Sequence, residues 1–315
     1  MILCVTLNPC LDKTLTVADW KSGDNVRATA AREVVGGKGN NVARALGRLG
    51  RSARPVTFLG GSVGRRCEDL LRDEGLPDPV IVPTIAPTRE ILTVRAPNVA
   101  ATAFFDPDPP ITEDEAGQLL DRVRAELERR EILALTLSGS SPSPATHGVF
   151  GDLIALASVS GVPTFLDTYG PALDAIGASW PATISINRRE AGLLLRDEEP
   201  TDAAVVDLLD RWSGRGVRVA VVTDGPGDVL ARIEGRTYRA TPPRIDPVNP
   251  IGSGDCLLAG LVHAQIQGLD PATTLRRAVA TAAANALVWD AGAIDPATVA
   301  RLEDQVEVEV VRSQP

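Results

Sequence analysis

The sequence predicts an α/β protein in which a parallel central sheet carries helices on both faces and a small β-sheet is inserted into the body. From residue 132 to residue 222, short apolar runs alternate with segments of helical periodicity. Such alternation is typical of parallel strands joined by right-handed crossovers. Residues 217–222 are rich in valine, which suits a central strand buried on both faces. The inserted sheet is predicted from two earlier stretches, 13–35 and 84–105, in which apolar residues recur with a shorter period than in a helix.

The first part of the chain combines short strands with one clear helix. Residues 2–7 form an apolar run that predicts a buried strand, and the mixed pattern of residues 13–35 predicts half-exposed strands. Apolar positions from Val42 to Leu49 share one helical face, and Gly50 ends that helix. The elements predicted after it are a strand at 56–59, a helix at 65–73 and short strands within 84–105.

The rest of the chain follows the strand–helix alternation. A capping box at Thr112 and Glu115 begins a helix that runs to about residue 130. Glu234 and Gly235 separate two short strands of a hairpin. The pattern predicts strands at 132–137, 163–167, 183–186, 217–222, 229–233 and 237–240, and helices at 146–160, 171–175, 188–195, 201–212 and 271–289, besides one that follows residue 254.

No internal repeat and no low-complexity linker interrupts this order. We therefore expect residues 1–315 to form a single α/β domain. The stretches at roughly 13–35 and 86–106 would form one β-layer inserted into it. A β-layer has two faces, and one of them can cover a site as a lid.

Composition limits the partners. The formal net charge is −9 and the pI is near 4.9, which argues against nonspecific binding to nucleic acid or to an anionic membrane. The four cysteines lack CxxC spacing and predict reduced thiols in a cytoplasmic protein. Having only His147 and His263 disfavours histidine metal sites and a Ser-His-Asp triad. The amino terminus lacks a signal-peptide pattern, and no apolar run is as long as a membrane-spanning helix.

Residues 249–261 predict an anion site at the start of a buried helix. Gly252 and Gly254 precede apolar residues that lie one helical turn apart. The first amides of a helix have no partner within it, and the helix dipole favours an anion there. Asp255 has two interpretations: an acidic residue favoured at a helix start, or a base that takes a proton from a hydroxyl while the amides hold the transferred group.

A second glycine-rich segment, 36–41, precedes the first helix. Its three glycines surround Lys38, one of only three lysines in the chain. The segment is not a phosphate-binding P-loop, and the glycine fingerprint of dinucleotide-binding folds is absent after the first strand. The segment is either a tight turn with a solvated lysine or a place where a ligand approaches the backbone closely, and we favour the second interpretation.

Polar residues follow several predicted strands at their carboxyl ends. In open parallel sheets, ligands bind at that edge. Each residue alone can be a helix cap or a turn former. The residues that share this position are Asn8 and Asp12, Ser138 to Ser140, Asp167, Asn187 with Glu190, and Thr223 to Gly225.

These motifs together resemble the PfkB (ribokinase-like) carbohydrate kinases. The two glycine-rich segments, 36–43 and 252–255, carry the resemblance, because both signatures occur in the family's order and separation. Nearly the whole chain is covered. The chain is most similar to the branch of 1-phosphofructokinases and tagatose-6-phosphate kinases. Supporting motifs are Asn-Pro-x-x-Asp at 8–12, Thr88-Arg89, Ser138-Gly139-Ser140, Asn187-x-x-Glu190 and Thr223-Asp224-Gly225.

The resemblance implies a ribokinase-like fold and ATP-dependent phosphoryl transfer to a sugar hydroxyl. It implies that Asp255 is the base and that Gly252, Ser253 and Gly254 supply amides to the transferred phosphoryl group. Asn187 and Glu190 match the motif that organises Mg²⁺. Nucleotide-binding positions are matched by Asn187, Thr223, Gly225 and Asn285, and substrate-binding positions by Asp12, Gly37, Lys38, Asn41 and Ser138.

A phosphorylated acceptor needs cationic groups in its site. Arg27 and Arg89 match positions that phosphosugar kinases use for this purpose, with Lys38 nearby, although both arginines can also be solvated lid residues. The expected substrates are fructose-1-phosphate or tagatose-6-phosphate, with fructose-6-phosphate as a further candidate, and a homodimer formed through the β lid is expected. The alternatives are a free-sugar or nucleoside kinase of the same fold and a catalytically silent sugar-phosphate sensor.

The chain departs from the family at two positions near the expected nucleotide site. Ser185 stands where the family often has lysine, so a cation can be missing there. Asp228 stands where a glycine is usual. Residues 96–108 match the family poorly. These departures put nucleotide binding and substrate choice in question, and they leave the expected fold unchanged.

Overall fold

The computed structural model describes residues 1–21, 23–76, 78–97, 99–129 and 131–311. Within these residues no helix is long and apolar enough to cross a membrane. Most of the described chain builds a ten-stranded sheet with helices on both faces, and a four-stranded sheet lies apart from it. The predicted α/β class with a small additional sheet is confirmed.

The large sheet has strands in the order β14-β13-β12-β11-β10-β9-β8-β1-β4-β5. The seven strands from β5 to β11 in that order are parallel to their neighbours, and the other three are antiparallel. The strands of this sheet are β1 Ile2–Thr6, β4 Ala53–Gly60, β5 Val80–Thr84, β8 Ala134–Ser138, β9 Thr164–Asp167, β10 Thr183–Asn187, β11 Val219–Thr223, β12 Val229–Ile233, β13 Arg236–Thr241 and β14 Glu307–Val310.

Helices on the two faces of this sheet enclose two separate apolar cores. Alternate residues of each strand enter opposite cores: in β1, Leu3 and Val5 pack in one, and Ile2 and Cys4 in the other. The first core is closed by α3 Glu113–Arg129, α4 Val149–Val159, α5 Pro171–Asp174, α6 Arg188–Leu195 and α7 Asp202–Ser213. The second is closed by α1 Lys38–Arg48, α8 Ser253–Ile266, α9 Pro271–Ala286 and α10 Pro296–Glu303.

The small sheet has the order β3-β2-β6-β7 and contains both pairing types. β2 and β6 are parallel, and the two outer pairs are antiparallel. Helix α2, Gly61–Asp73, packs against β2 and β3 as well as β4, so it joins the two sheets. The strands are β2 Cys10–Thr16, β3 Ala30–Gly36, β6 Arg89–Ala96 and β7 Val99–Phe105.

Strands β6 and β7 fall within the expected stretch 86–106, whereas β2 begins three residues before the expected stretch 13–35 and β3 ends one residue after it. Residues 22 and 98 lie outside the described residues. That the sheet acts as a lid stays a prediction.

Several element bounds differ from the predicted ones. Helix α1 begins at Lys38, so much of the glycine-rich segment is helical rather than a loop. Helix α9 ends at Ala286, before the predicted residue 289. The analysis of the sequence did not predict β5, α10 or β14, and all three are short peripheral elements whose apolar periodicity spans few residues. Residue 130, the predicted end of α3, lies outside the described residues.

Candidate active site

Polar side chains gather at one edge of the large sheet because its parallel strands end in register. Thr6 of β1 pairs with Ser138 of β8, and Ser138 pairs with Asp167 of β9. Asn187 of β10 pairs with Thr223 of β11. Loops that follow these strand ends therefore open onto one crevice, which is where ligands bind in open α/β sheets.

The N-terminus of α8 lies at the same edge. A Cβ atom on Gly254 would lie 3.9 Å from Oδ2 of Asp167, so the first turn of the helix adjoins the end of β9. Gly252 has φ of 84°, and a Cβ there would lie 2.5 Å from the Cβ of Ala291. Only glycine therefore fits at residue 252 without a shift of the neighbouring loop.

The backbone amides of this first turn differ in whether they donate a hydrogen bond within the chain. The amide of Ser253 donates to the carbonyl of Pro250 at 3.2 Å and closes a turn before the helix. The amides of Gly254 and Asp255 are at helix positions that have no carbonyl partner within the helix. Together with the helix dipole, two such amides are suited to bind an anion.

Asn285 holds the loop before α8 in place. Its side chain is 1% exposed. The Nδ2 atom donates to the carbonyl of Ile251 at 2.8 Å and to the hydroxyl of Ser253 at 3.2 Å, and the amide of Gly292 donates to Oδ1 at 2.9 Å. The polar atoms of Asn285 are thus engaged by the chain itself, beneath the anion site.

Asp255 is buried at the start of α8 and is held by a residue of α1. The Nδ2 atom of Asn41 donates to Oδ2 of Asp255 at 2.8 Å. Burial raises the pKa of Asp255 above its ordinary value, while the Lys38 ammonium lowers it in part. A carboxyl group with a raised pKa is a stronger base than an exposed aspartate once it is ionised.

Lys38 lies among three carboxylates. Its Nζ atom is 2.7 Å from Oδ1 of Asp167 and 3.8 Å from Oε1 of Glu190. Burial lowers the pKa of Lys38, but Asp167, then Asp255 and Glu190, raise it by more, so the amine stays protonated. We call Lys38, Asp167, Glu190 and Asp255 the carboxylate cluster. One ammonium and three carboxyl groups leave it with an excess of negative charge when all are ionised.

Arg44 of α1 joins this cluster to its surroundings. It is buried, and it forms two bonds of 2.8 Å with the carboxylate of Glu74 at the end of α2. Its Nη1 atom donates to Oδ1 of Asn41 at 3.0 Å and to the carbonyl of Ala291 at 2.8 Å. Because Oδ1 of Asn41 accepts this bond, its Nδ2 is directed toward the carboxylate cluster.

Two glycines of the segment 36–41 are explained by packing against β1. A Cβ on Gly39 would lie 2.4 Å from the carbonyl oxygen of Val5. A Cβ on Gly37, whose φ is 108°, would lie 2.6 Å from Cγ2 of Thr6. The close approach that glycine allows here is therefore to the strand itself, and it brings Lys38 to the carboxyl end of the sheet.

The remaining predicted substrate residues are distributed unevenly. Asp12 on β2 is partly buried, and burial, followed by the charge of Asp290, raises its pKa. Arg89 begins β6, and its Nη1 lies 3.1 Å from Oδ1 of Asp108. Ser138 ends β8, and its hydroxyl is buried without a hydrogen-bond partner among the described residues. Arg27 is exposed in the connection between β2 and β3, and no hydrogen bond or ion pair joins it to the described part of the chain.

Across the crevice edge, a second set of charges surrounds the loop after β11. We call it the arginine network; Arg188 and Arg239 alternate in it with Asp202, Asp224 and Asp228. Arg188 lies 2.9 Å from Asp224 and 2.7 Å from Asp202, and Arg239 lies 2.7 Å from Asp202 and 2.9 Å from Asp228. Asp228 also accepts a bond of 2.8 Å from Thr241. The departure at residue 228 is therefore neutralised by Arg239.

The expected metal and nucleotide residues lie beside these two sets. Asn187 caps α6, because its Oδ1 accepts from the amide of Glu190 at 2.9 Å and Glu190 Oε2 accepts from the amide of Asn187 at 3.0 Å. Thr223 ends β11, and Gly225 follows in the turn with φ of 53°. Ser185, the other departure, is buried within β10.

A sequence profile of the pfkB family of carbohydrate kinases matches residues 5–297. The chain belongs to this family. The members of the pfkB family use ATP to phosphorylate a carbohydrate, so the protein is an ATP-dependent carbohydrate kinase.

Solved structures of the pfkB fold superpose on nearly the whole chain. The phosphofructokinase-2 of Escherichia coli in complex with fructose-6-phosphate is 26% identical, covers 96% of this chain and 98% of its own, and gives a TM-score of 0.84. A possible 1-phosphofructokinase from Thermotoga maritima is 24% identical, covers 99% and 100%, and gives 0.85. A carbohydrate kinase from Agrobacterium tumefaciens is 21% identical, covers 98% and 99%, and gives 0.74.

The residues present fit a pfkB kinase that meets its divalent cation through water and phosphate. Among the described residues, no group of three or more histidine, cysteine, aspartate or glutamate side chains is arranged to hold a metal ion. The carboxylate cluster nevertheless carries excess negative charge at the crevice, with Glu190 at its edge. Mg²⁺ keeps several waters and needs few protein carboxylates, so this donor set suits it.

Sequence reasoning missed three residues of this pfkB site. It placed Asp167 at the sheet edge but gave it no role, and it passed over Arg44 and Glu74. Arg44 carried a signal, since it is a charged residue between the apolar pairs Val42-Ala43 and Ala45-Leu46, three positions after Asn41. Cys256, next to Asp255, is buried, and burial raises the pKa of its thiol, so it is a packing residue rather than a reactive thiolate.

Proposed function

We propose that the protein transfers the terminal phosphoryl group of ATP to a hydroxyl of a phosphorylated ketohexose, with Asp255 as the base. The observation that carries this proposal is the placement of Asp255. Its carboxylate is buried at the start of α8, beside two amides that form an anion site, and Asn41 fixes its orientation. A base and an anion site side by side are the minimum that hydroxyl phosphorylation requires.

Asp255 would accept the proton of the attacking hydroxyl as the oxygen bonds to phosphorus. Its raised pKa strengthens it as a base. The hydrogen bond from Asn41 engages Oδ2 of Asp255, so Oδ1 would be the oxygen that accepts the proton. Asp12 and the end of β8 at Ser138 would bind hydroxyls of the sugar, with Gly37 and Lys38 beside them.

Charge that develops on the transferred group would be stabilised by α8 and Lys38. The amides of Gly254 and Asp255 and the dipole of α8 are fixed before the reaction, so they need no reorganisation during it. Gly252 allows the tight turn, and Ser253 closes it. The Lys38 ammonium is held by Asp167 and adds a fixed positive charge to the crevice.

ATP would lie across the loop that contains Thr223 and Gly225. Asn187 and Glu190 at the start of α6 would hold Mg²⁺ through water, and bound Mg²⁺ supplies neutralisation of phosphate charge. Asn285 would support this side by fixing the loop before α8. The arginine network would hold the turn after β11 in place. Because Arg239 neutralises the charge of Asp228, this aspartate would not repel the phosphates of ATP.

The phosphorylated acceptor is supported by Arg89. Its side chain is only 15% exposed, at the edge of the crevice that holds Asn8 and Ser138. A half-buried cation in that position suits the phosphate of fructose-1-phosphate, tagatose-6-phosphate or fructose-6-phosphate. Arg27, being exposed on the β2–β3 connection, would contribute only after that connection moves or when a second copy approaches.

A homodimer formed through the small sheet is part of this proposal. The edge strand β7 exposes 56% of Phe104 and 65% of Phe105. The tetrameric form of the E. coli phosphofructokinase-2 shows that a protein of this fold can self-associate. Sedimentation equilibrium at micromolar concentration would contradict the dimer by finding only monomers.

The experiment is ADP release with Mg-ATP and a panel of acceptors. The panel contains fructose-1-phosphate, tagatose-6-phosphate, fructose-6-phosphate, free fructose and ribose. We expect turnover with phosphosugars only. Asp255→Asn should lower kcat by about 10²- to 10⁴-fold, as loss of a general base does. Asp210→Asn, which removes the same charge from an ion pair with Arg232 that has no part in the proposed site, should keep most of the activity.

Three results would contradict the proposal in different ways. Turnover of free sugars alone would show a free-sugar or nucleoside kinase and would remove the phosphate-binding role of Arg89. Binding of a phosphosugar with no turnover of any acceptor would favour the silent sensor. Full activity of Asp255→Asn would exclude Asp255 as the base while leaving the family unchanged.

A further inference from the structure

A carboxylate of the chain itself occupies a position between two donors at the edge of the crevice. The Oδ1 atom of Asp108 accepts a hydrogen bond from Nδ2 of Asn8 at 2.8 Å. The same oxygen lies 3.1 Å from Nη1 of Arg89. Asn8 follows β1, and Arg89 begins β6, so the two donors come from the large sheet and the small sheet.

The two partners are buried to different degrees. The side chain of Arg89 is 15% exposed, whereas that of Asp108 is 46% exposed. Asp108 is the one carboxylate that pairs with Arg89 among the described residues, and Nε of Arg89 is buried without a hydrogen-bond partner there. The cation is therefore fixed in the crevice wall, while the anion reaches it from the exposed segment after β7.

This arrangement has the chemistry of a phosphate subsite. An oxygen of a phosphate group accepts the same two bonds that Oδ1 of Asp108 accepts, from a guanidinium and from an amide NH₂. The hydroxyl of Ser140 lies 3.0 Å from Nδ2 of Asn8 and supplies a third polar group. Asp108 thus stands where an anionic oxygen of a ligand would bind.

We propose that Asp108 is an internal competitor for the phosphate group of the acceptor, and so a specificity-determining residue. This inference rests on the proposed phosphosugar kinase function and concerns the same site. A phosphosugar must displace Asp108 from Arg89 and Asn8 before its phosphate can bind both donors. A phosphate dianion can do so because it carries more charge than one carboxylate, and a neutral hydroxyl cannot.

The test compares Asp108→Asn and Asp108→Ala with the wild-type protein. Removal of the competing charge should lower KM for the phosphosugar about fivefold, the range of an exposed ion pair, and leave kcat and the KM for ATP within twofold. Inorganic phosphate should inhibit the variants more strongly by the same factor. Asp106→Asn is the matched control, because Asp106 lies two residues away and binds the amide of Glu90 at 2.9 Å instead of Arg89.

Three outcomes overturn the inference. An unchanged KM in both Asp108 variants shows that the carboxylate does not compete. A raised KM shows that Asp108 orients Arg89 for the substrate. An equal decrease in Asp106→Asn shows a general effect of charge. If wild type phosphorylates no phosphosugar, the proposed function fails, and calorimetric titration with fructose-6-phosphate decides separately: tighter binding by Asp108→Asn supports the competition, while equal, weaker or absent binding overturns it.

Discussion

Two sets of charged residues flank the crevice, and they are built differently. In the carboxylate cluster, the single ammonium of Lys38 faces three carboxyl groups, and Asp167 and Asp255 are buried. In the arginine network, Arg188 and Arg239 alternate with three aspartates, and each aspartate is bound by an arginine at 2.7–2.9 Å. Both sets have more carboxyl groups than cations, but the first has three carboxyl groups for one ammonium, whereas every aspartate of the second is in direct contact with an arginine.

The difference indicates which set acts on ligands and which maintains structure. A buried set with excess negative charge shifts pKa values and favours an added cation. In a partly exposed network of ion pairs, the charged groups bind one another, and water screens their charges. The arginine bonds lower the pKa of Asp202, as expected for a carboxylate whose charge is matched, whereas burial raises the pKa of Asp255.

The largest difference in kcat between the two sets is expected when one cation is removed from each of them. Lys38→Met should lower kcat by about 100-fold, because loss of the ammonium raises the pKa of Asp255 further, so that less of the carboxyl group is ionised to accept a proton, and leaves Asp167 buried without its partner. Arg239→Met should keep kcat within about fivefold, since Arg188 still binds Asp202. Steady-state kinetics at saturating ATP measures both. Equal losses in the two variants would contradict the distinction between the sets.

An intermediate effect is expected from pH. Since Asp255 must be ionised to accept a proton, kcat should decrease about tenfold per pH unit below its raised pKa, well above the usual aspartate range near 4. The stability of the fold depends on pH in the opposite direction to kcat. A raised pKa means that the protonated carboxyl stabilises the fold, and this contribution is lost as the pH rises through that pKa.

The measurement is the Tm of wild type minus that of Asp255→Asn across this range. The difference should become more negative as the pH rises, because only wild type then buries an ionised carboxylate at residue 255. The raised pKa values of Glu190 and Asp12 act in both proteins and largely cancel. A difference that stays constant with pH would show that the pKa of Asp255 is not shifted by folding.

The smallest effect is expected from restoring the family's glycine in the arginine network. Asp228→Gly removes one partner of Arg239 but leaves its bond to Asp202, so the free energy of unfolding should change by less than about 1 kcal/mol. The KM for ATP should stay within about twofold. Chemical denaturation and ATP titration measure these quantities. A tenfold change in KM would assign Asp228 to nucleotide binding instead of to the network.

Much of the fold was predictable because it is encoded in local patterns. The valine run became the buried strand β11, and the turn at Glu234 and Gly235 has φ of 49° and 77°, as a tight hairpin requires. The site was predictable only where motifs carry it, as with Asp255. Asp108 and Arg44 were not predicted, because their partners are set by side chains that meet across elements and leave no periodic signal.

The sequence by itself determined the alternation of strands and helices, the glycines before α1 and α8, and the family. Tertiary structure alone decided the pairings that give the site its chemistry. Asn41 and Asp255 are 214 positions apart, and Lys38 and Asp167 are 129 apart. Periodicity and turn chemistry act over a few residues, so they specify elements. The pKa of Asp255 and the pairing of Arg89 with Asp108 depend on burial and on charges from distant segments, which exist only once the chain is folded.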